Sequence, residues 1–421
     1  PMAVLGATRK VMAVVSGVVI ATVVSGCGGS GSSSEGGGNG GQVTIGALLP
    51  QTGDLAALGK NTSTAVQLAV EQANAGQSDV KVTLESQDSG TQESIAQSAI
   101  QQLLTKNVSA IVGAVSSAVC LSVVDTTVQA KVPMISPACT SPQLTTYADD
   151  GYFFRTAAPS EFQGTILADI AYQDGKRKAA IMAVNNSYGL SIADTFKKHF
   201  QELGGQIAVD IKYDAAGKSF TAETQRVADA KPDAVVLIGY QDTGAAIVHD
   251  AQQRGLLDLA WYTGDGIQDA SFPKQALPND QSPLYSWKGV GIGSSDSASA
   301  KAFADAYNKK FGSAPPSFSA QAYDGAWISI LSSILADKNG TEAKDEIPNV
   351  TDSSASTCTA AECVPLVRDG KHVAYQGATG PVSFDQNGDP KNAVFAVWQF
   401  TADGIKNVHN EIGRASCRER V

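Results

Sequence analysis

The sequence predicts an α/β protein built from two doubly wound parallel-sheet lobes. Three observations carry this. Apolar strand-like runs alternate with stretches of helical spacing along most of the chain. Most of the strand runs are largely apolar, as expected of parallel strands covered on both faces. The alternation also comes in two sets, one before and one after Arg155, and Gln42 to Asn410 is long enough for two compact lobes.

In the first set, Val43 to Leu49 reads as a strand. Gly59 to Asn74 carries helical spacing through Ala65, Leu68, Ala69 and Val70. Val80 to Glu85 alternates as a strand, and Glu93 to Lys106 lines up Ile95, Ala99, Leu103 and Leu104 on one helical stripe. Ala110 to Val115 is a buried strand, Cys120 to Lys131 a helix, and Val132 to Ser136 a short strand. In the second set, Ser160–Asp174, Gly189–Leu203, Thr221–Ala230 and Gly244–Arg254 read as helices. Ala179–Val184, Gln206–Tyr213, Ala234–Ile238 and Leu259–Thr263 are the strands between and after them.

The two ends are set apart. Arg9 and Lys10 precede a short apolar run, Val11 to Val24, which leads into Ser25-Gly26-Cys27. A basic start, an apolar stretch and small residues make an export signal, and a cysteine directly after them reads as a bacterial lipobox. Residues 1–27 are therefore expected to be a lipoprotein signal peptide, with Cys27 acylated. Gly28 to Gly41 is almost wholly Gly and Ser and reads as a flexible tether. Glu411 to Val421 (EIGRASCRERV) breaks the local composition with clustered arginines and Cys417. It reads as a translated sequencing-adapter scar and is set aside with Cys417.

Composition narrows the function. The formal net charge is −10 and no basic block occurs, which disfavours nucleic acid. Four cysteines remain after Cys27 and Cys417: Cys120, Cys139, Cys358 and Cys363. An even number in an exported chain suggests disulfides. Cys358 and Cys363 close a small loop, and Cys120 with Cys139 would then pair by elimination. Zinc is the alternative, but no CxxC occurs, and His199, His249, His372 and His409 lie apart. Neither a metal nor a cofactor is expected.

Ligands of doubly wound folds sit outside the carboxyl ends of the strands. The loops there offer Pro50-Gln51-Thr52-Gly53 with Ala57-Leu58-Gly59, Gly113 to Ser117, Ser136 to Pro142, Asn185 to Gly189, Gly239-Tyr240 and Gly264-Asp265-Gly266. Ser117 and Thr140 at helix N-termini suit a carboxylate, and Asp265 suits an ammonium. Tyr188 and Tyr240 suit apolar walls with polar tips. Together they describe an amino-acid zwitterion better than a phosphate, which would want Arg or Lys. An enzyme reading lacks support: no G-x-S-x-G surrounds Ser117, and the histidines fall outside these loops.

Ordered motifs from Val43 to Phe400 carry a family resemblance. They are Leu49-Pro50-Gln51-Thr52-Gly53 with Gly59, Met134-Ile135-Ser136-Pro137-Ala138, Phe154-Arg155-Thr156, Gln163-Gly164 and Tyr188-Gly189, followed by Gln321-Ala322-Tyr323-Asp324 and Gly380-Pro381 with Phe384-Asp385. The chain resembles the type I periplasmic binding proteins, in particular the leucine/isoleucine/valine-binding group serving ABC importers. The resemblance implies two lobes joined by crossing segments near Ala157–Pro159, Gly291–Ser294 and Gln376–Pro381. Lobe 1 would be 42–158 plus 293–380, and lobe 2 159–292 plus 381–410. It further implies a ligand set of Leu58, Ser117, Ala138, Cys139, Thr140, Tyr188, Tyr240 and Asp265, with Phe318, Tyr323 and Asp324 as a third contribution. Leu58 stands where an aromatic is frequent, and Asp265 where well-known members carry glutamate. The expected partners are a small-molecule ligand, an ABC permease and, through lipid, the membrane, with the protein itself a monomer. An amide, a urea-like compound or an aromatic acid is the alternative ligand within the same family, and a sensor feeding a signalling receptor is the rival use of the same fold.

Overall fold

The computed structural model describes residues 41–76 and 80–414. Cys27, the Gly/Ser tether and Cys417 lie outside the described residues. No helix among the described residues is long and apolar enough to cross a membrane.

The first lobe runs β1 (Gln42–Leu49), α1 (Ala56–Ala75), β2 (Lys81–Asp88), α2 (Glu93–Leu104), β3 (Ala110–Gly113), α3 (Ser117–Ala130), β4 (Met134–Ser136) and β5 (Phe153–Arg155). Its five strands order β2-β1-β3-β4-β5, all parallel. β3 is buried along its whole length, which is why it reads as an uninterrupted apolar run.

After a first crossing the chain enters the second lobe. This contains α4 (Glu161–Gln173), β6 (Lys178–Val184), α5 (Ser187–Glu202), β7 (Gln206–Tyr213), α6 (Thr221–Ala230), β8 (Ala234–Ile238), α7 (Gln241–Gln252), β9 (Ala260–Thr263), α8 (Phe272–Ala276) and β10 (Lys288–Ile292). A second crossing returns it to lobe 1 for α9 (Ala298–Phe311), α10 (Ser319–Asn339), α11 (Ala343–Val350), β11 (Ser356–Cys358), α12 (Cys363–Arg368), β12 (Val373–Gly377) and β13 (Gly380–Pro381). The chain then closes the second sheet with the hairpin β14 (Asn392–Thr401) and β15 (Gly404–Arg414). That sheet orders β15-β14-β10-β9-β8-β6-β7 and is parallel except for the two pairings made by β14.

Strand order reverses between β1 and β3 in one lobe and between β6 and β8 in the other. The crevices at these switch points are where such sheets bind ligands. Three differences from the sequence reading matter for the site. The helices after β1, β3 and β8 each start about one turn earlier than their apolar periodicity, at Ala56, Ser117 and Gln241. Ser117 is thus the first residue of α3 rather than a residue ahead of it. The third crossing also lies later than 376–381. Residues 382–391 stay on lobe 1, where Arg155 N–H donates to the Gly388 carbonyl (3.0 Å) and Arg155 Nε pairs with Asp389 Oδ1 (2.5 Å). The ladder of β15 also runs on through Glu411–Arg414, the first residues of the segment set aside on composition, with Arg414 opposite Asn392.

Both expected disulfides are present, Cys120–Cys139 and Cys358–Cys363. No cluster of His, Cys, Asp or Glu among the described residues could hold a metal ion.

Candidate functional site

Between the two switch points lies a small cavity of about 20 Å³. Lobe 1 lines it with Leu55, Leu58, Val115, Ser117, Ala138 and Phe318; lobe 2 lines it with Tyr188, Tyr240, Asp265 and Gly266. Leu55 and Leu58 enter with the first turn of α1. That turn can pack onto the end of β1 because residue 59 is glycine: a Cβ there would sit 1.6 Å from the Pro50 carbonyl oxygen.

The polar ends of the cavity differ in sign. On lobe 1, Ser117 opens α3, whose first-turn amides and dipole favour an anion. Ser117 Oγ accepts the Ser141 amide (3.0 Å), and its own proton has no protein acceptor among the described residues. Close by in sequence, the buried Thr140 hydroxyl also has no partner among the described residues. On lobe 2, Asp265 is buried between Gly264 and Gly266. A Cβ on Gly266 would lie 2.3 Å from the Gly239 carbonyl oxygen, and one on Gly264 would lie 2.7 Å from the Tyr188 hydroxyl. The flanking glycines therefore allow close approach and do more than make a turn. Tyr188 Oη donates to Asp265 Oδ1 (2.7 Å) and accepts the Gly266 amide (3.0 Å); Gln163 Nε2 donates to Asp265 Oδ2 (2.6 Å).

No Lys, Arg or His among the described residues lines this cavity. Asp265 thus has hydrogen bonds but no cation, and burial raises its carboxyl to about 6 against the lowering effect of Tyr188 and Gln163. The Tyr188 phenol is held well above its ordinary value by burial and by the neighbouring Asp265 charge. Burial pushes Tyr240 to about 12. Both phenols are therefore neutral donors at physiological pH. Their rings stack at 5.5 Å with an 18° interplanar angle and form one wall.

The lobes also touch outside the cavity. Asp54, on the loop after β1, accepts the Thr243 amide (3.0 Å) and hydroxyl (2.8 Å) at the start of α7. Asn61 Nδ2 donates to Asp269 Oδ2 at 3.2 Å, and Ser116 Oγ lies 3.5 Å from Tyr240 Oη. The cleft is thus in a closed arrangement.

Seven expected residues meet here: Leu58, Ser117, Ala138, Tyr188, Tyr240, Asp265 and Phe318. Four stand elsewhere. The Cys139 side chain is bonded to Cys120 and packs in a separate core against Leu48 and Met134, so it braces the loop and does not face the cavity. Thr140 stands ahead of the short 3-10 turn Pro142–Leu144 and not at the start of an α-helix. Its carbonyl accepts the Ser160 amide (2.7 Å), and it lies behind the lining. The Tyr323 hydroxyl donates to Gln72 Oε1 and its ring packs on Phe303 at 4.7 Å, away from the cavity. Asp324 accepts from Tyr375 Oη (2.9 Å), the Ala378 and Thr379 amides (2.7 and 2.9 Å) and Thr379 Oγ1 (2.6 Å). It anchors the segment after β12. The reason is that α10 is buried nearly all round from Ser319 to Ala336, so neither residue has an open face. Leu55, Val115 and Gly266 complete the lining beyond the expected ligand set. Gln163, quoted only as a motif residue, proves to be a direct partner of Asp265.

A two-lobed α/β protein with a small cavity between its lobes at the strand switch points has the architecture of a solute-binding protein. Residues 42–331 match the periplasmic binding protein family model, and the chain belongs to that family, in its type I leucine/isoleucine/valine-binding branch. This is a family of solute-binding proteins, extracytoplasmic and not enzymatic. The chain is 28% identical over 371 residues to the Leu/Ile/Val-binding protein BraC3 of Rhizobium johnstonii, covering 86% of this chain and 93% of the relative. It is 24% identical to the leucine-, isoleucine-, valine-, threonine- and alanine-binding protein of Pseudomonas aeruginosa, over 86% and 91% of the two chains. Among solved structures it resembles the branched-chain amino acid transporter substrate-binding protein LivJ of Streptococcus pneumoniae in complex with isoleucine, with TM-score 0.73 and 27% identity over 89% and 99% of the chains. A Rhodopseudomonas palustris solute-binding protein in complex with benzoate shares the fold at TM-score 0.71 and 18% identity, over 89% and 98%.

Proposed function

We propose that this protein is the lipid-anchored, extracytoplasmic substrate-binding component of an ABC importer and takes a branched-chain or related amino acid. The observation that carries the ligand class is Asp265: a buried carboxylate without a cation, across a small cavity from the start of α3 and from the Ser117 hydroxyl, whose proton has no acceptor among the described residues. A ligand ammonium supplies the missing positive charge, and its carboxylate takes the α3 end. Leu55, Leu58, Val115 and Phe318 then surround an aliphatic side chain. The BraC3 relative and the isoleucine-bound LivJ neighbour support the same class.

Binding proceeds by hinge closure. The ligand first meets Ser117 on lobe 1, and lobe 2 then adds Tyr188, Tyr240 and Asp265. Only this added contact energy favours the closed form. The closed protein docks on a membrane permease as a monomer, kept nearby by acylated Cys27 and the Gly28–Gly41 tether.

An aromatic acid is the second reading, favoured by the stacked Tyr188–Tyr240 wall; the same fold holds benzoate in the Rhodopseudomonas neighbour. A thermal-shift screen with amino acids, amides and aromatic acids separates the two. Leucine, isoleucine or valine is expected to raise the melting temperature most; stabilisation by an aromatic acid or an amide alone would reject the amino-acid reading. Metabolic labelling with palmitate tests the anchor: label lost in Cys27→Ala supports it, and unlabelled wild type rejects it.

A further inference from the structure

We infer that Phe318 is the stop that limits ligand length, separating the closed cavity from a second, larger chamber that longer amino-acid side chains would otherwise enter. This rests on the amino-acid reading of the site. Phe318 lines the small interlobe cavity from lobe 1, and Asp265 lines it from lobe 2. It also lines a much larger open groove between α1 and α9, alongside Asn61, Thr64, Phe303, Tyr307 and the crossing from Ile292 to Asp296. It is the residue these two spaces have in common. Its side chain is 4% exposed, so the ring fills the partition and does not lie on either surface.

The backbone holds it there. Phe318 has φ 64°, in the left-handed region that a bulky residue rarely adopts. Around it, the Ser319 amide donates to the Pro316 carbonyl (3.2 Å), and the Phe318 carbonyl accepts the Ala322 amide (3.0 Å). Ser319 Oγ reaches the Asn61 carbonyl on α1 (3.3 Å). A strained conformation pinned at a site wall is a recurrent functional device. With the ligand ammonium on Asp265 and its carboxylate at α3, the side chain points among Leu55, Leu58 and Phe318, so its far end meets the ring. The groove behind has polar walls from α1 and aromatic walls from α9, which suits an indole or phenol.

The test uses Phe318→Gly, because glycine accepts positive φ without strain and is tolerated at a helix N-cap. Phe318→Asn, which also accepts this φ, serves if the glycine variant folds poorly. Affinities for leucine, phenylalanine and tryptophan are measured by calorimetry on wild type and variant. Wild type is expected to favour leucine. In the variant leucine should weaken by about tenfold, and the tryptophan-to-leucine affinity ratio should rise at least about tenfold, within the range a single pocket contact controls. An unchanged ratio, with all three ligands weakened alike, would overturn the inference and leave the amino-acid reading intact. Wild type that binds none of the three would instead sink the amino-acid reading.

Discussion

Asp265→Asn isolates the recognition of the ligand ammonium. The substitution is close in shape, and the site can absorb it. The introduced side-chain amide keeps an acceptor for Tyr188 Oη. Gln163 can turn its own amide to present Oε1, which has no partner among the described residues, to the new NH2 group. What is lost is the charge. A hydrogen bond to a charged group is worth about 1.5–3 kcal/mol, and an ion pair at about 4 Å contributes about 4 kcal/mol at an effective dielectric of about 20. Leucine affinity should therefore fall by about 2–4 kcal/mol, or about 30- to 1000-fold. The pH dependence gives a second signature. Burial raises the Asp265 carboxyl to about 6, and an ammonium ligand requires its ionised form. Affinity is then full above pH 6 and falls as pH drops through it, by about tenfold between pH 7 and pH 5. In the substituted protein this slope disappears. Calorimetry at pH 5, 6 and 7 with leucine and with 4-methylpentanoate, which lacks the ammonium, checks both points. Leucine binding within about threefold of wild type, or an equal loss for 4-methylpentanoate, would refute the argument.

Asp265 and Asp324 are both raised to about 6 by burial, so between their unfolded value and pH 6 the folded state holds the extra protons. Lowering pH from 7 to 5 should raise the ligand-free unfolding free energy by about 1.4 kcal/mol per group, read from urea midpoints, while ligand affinity moves the other way. Asp54→Ala removes two interlobe hydrogen bonds and should weaken leucine about tenfold with the ligand-free melting temperature unchanged; an equal drop in that temperature would mark Asp54 as a fold residue instead. Cys120 and Cys139 are 19 residues apart, so Cys120→Ser with Cys139→Ser should cost about 3 kcal/mol of stability; mass spectrometry without reduction should find all four internal cysteines blocked to alkylation.

The parallel strands are legible in the sequence because burial on both faces leaves them as apolar runs, and the strand-end loops then locate the cleft without further information. Six of the expected site residues meet there for that reason; Phe318, ahead of α10, follows a helix and is not located in this way. Other features depend on contacts that sequence separation hides. Gln163 and Asp265 are 102 residues apart, and Arg155 and Asp389 are 234 apart, so neither the carboxylate's partner nor the true third crossing shows locally. Tyr323 and Asp324 look available in the sequence because they follow a proline pair near a helix start. Their burial comes from everything packed around α10, which periodicity does not reveal. Leu55 and Val115 are indistinguishable from core filler, since an apolar residue in a loop carries no sign of which space it faces.

The two halves of the site differ in rigidity, and this decides what the ligand does. On lobe 1 the loop at Cys139–Ser141 is fixed from several directions. Arg155 Nη1 donates to the Cys139 and Ser141 carbonyls (2.9 and 2.8 Å), the disulfide ties Cys139 to α3, and the Ser141 amide meets Ser117. This half therefore stands ready for a carboxylate before closure. Lobe 2 brings Asp265, whose hydrogen bonds come from Tyr188 and Gln163 of the same lobe and whose carboxyl burial raises to about 6. It carries no counter-charge there, so a ligand ammonium seated on lobe 1 gains its attraction only when lobe 2 closes on it. That gain is the differential free energy that ligand-driven closure requires.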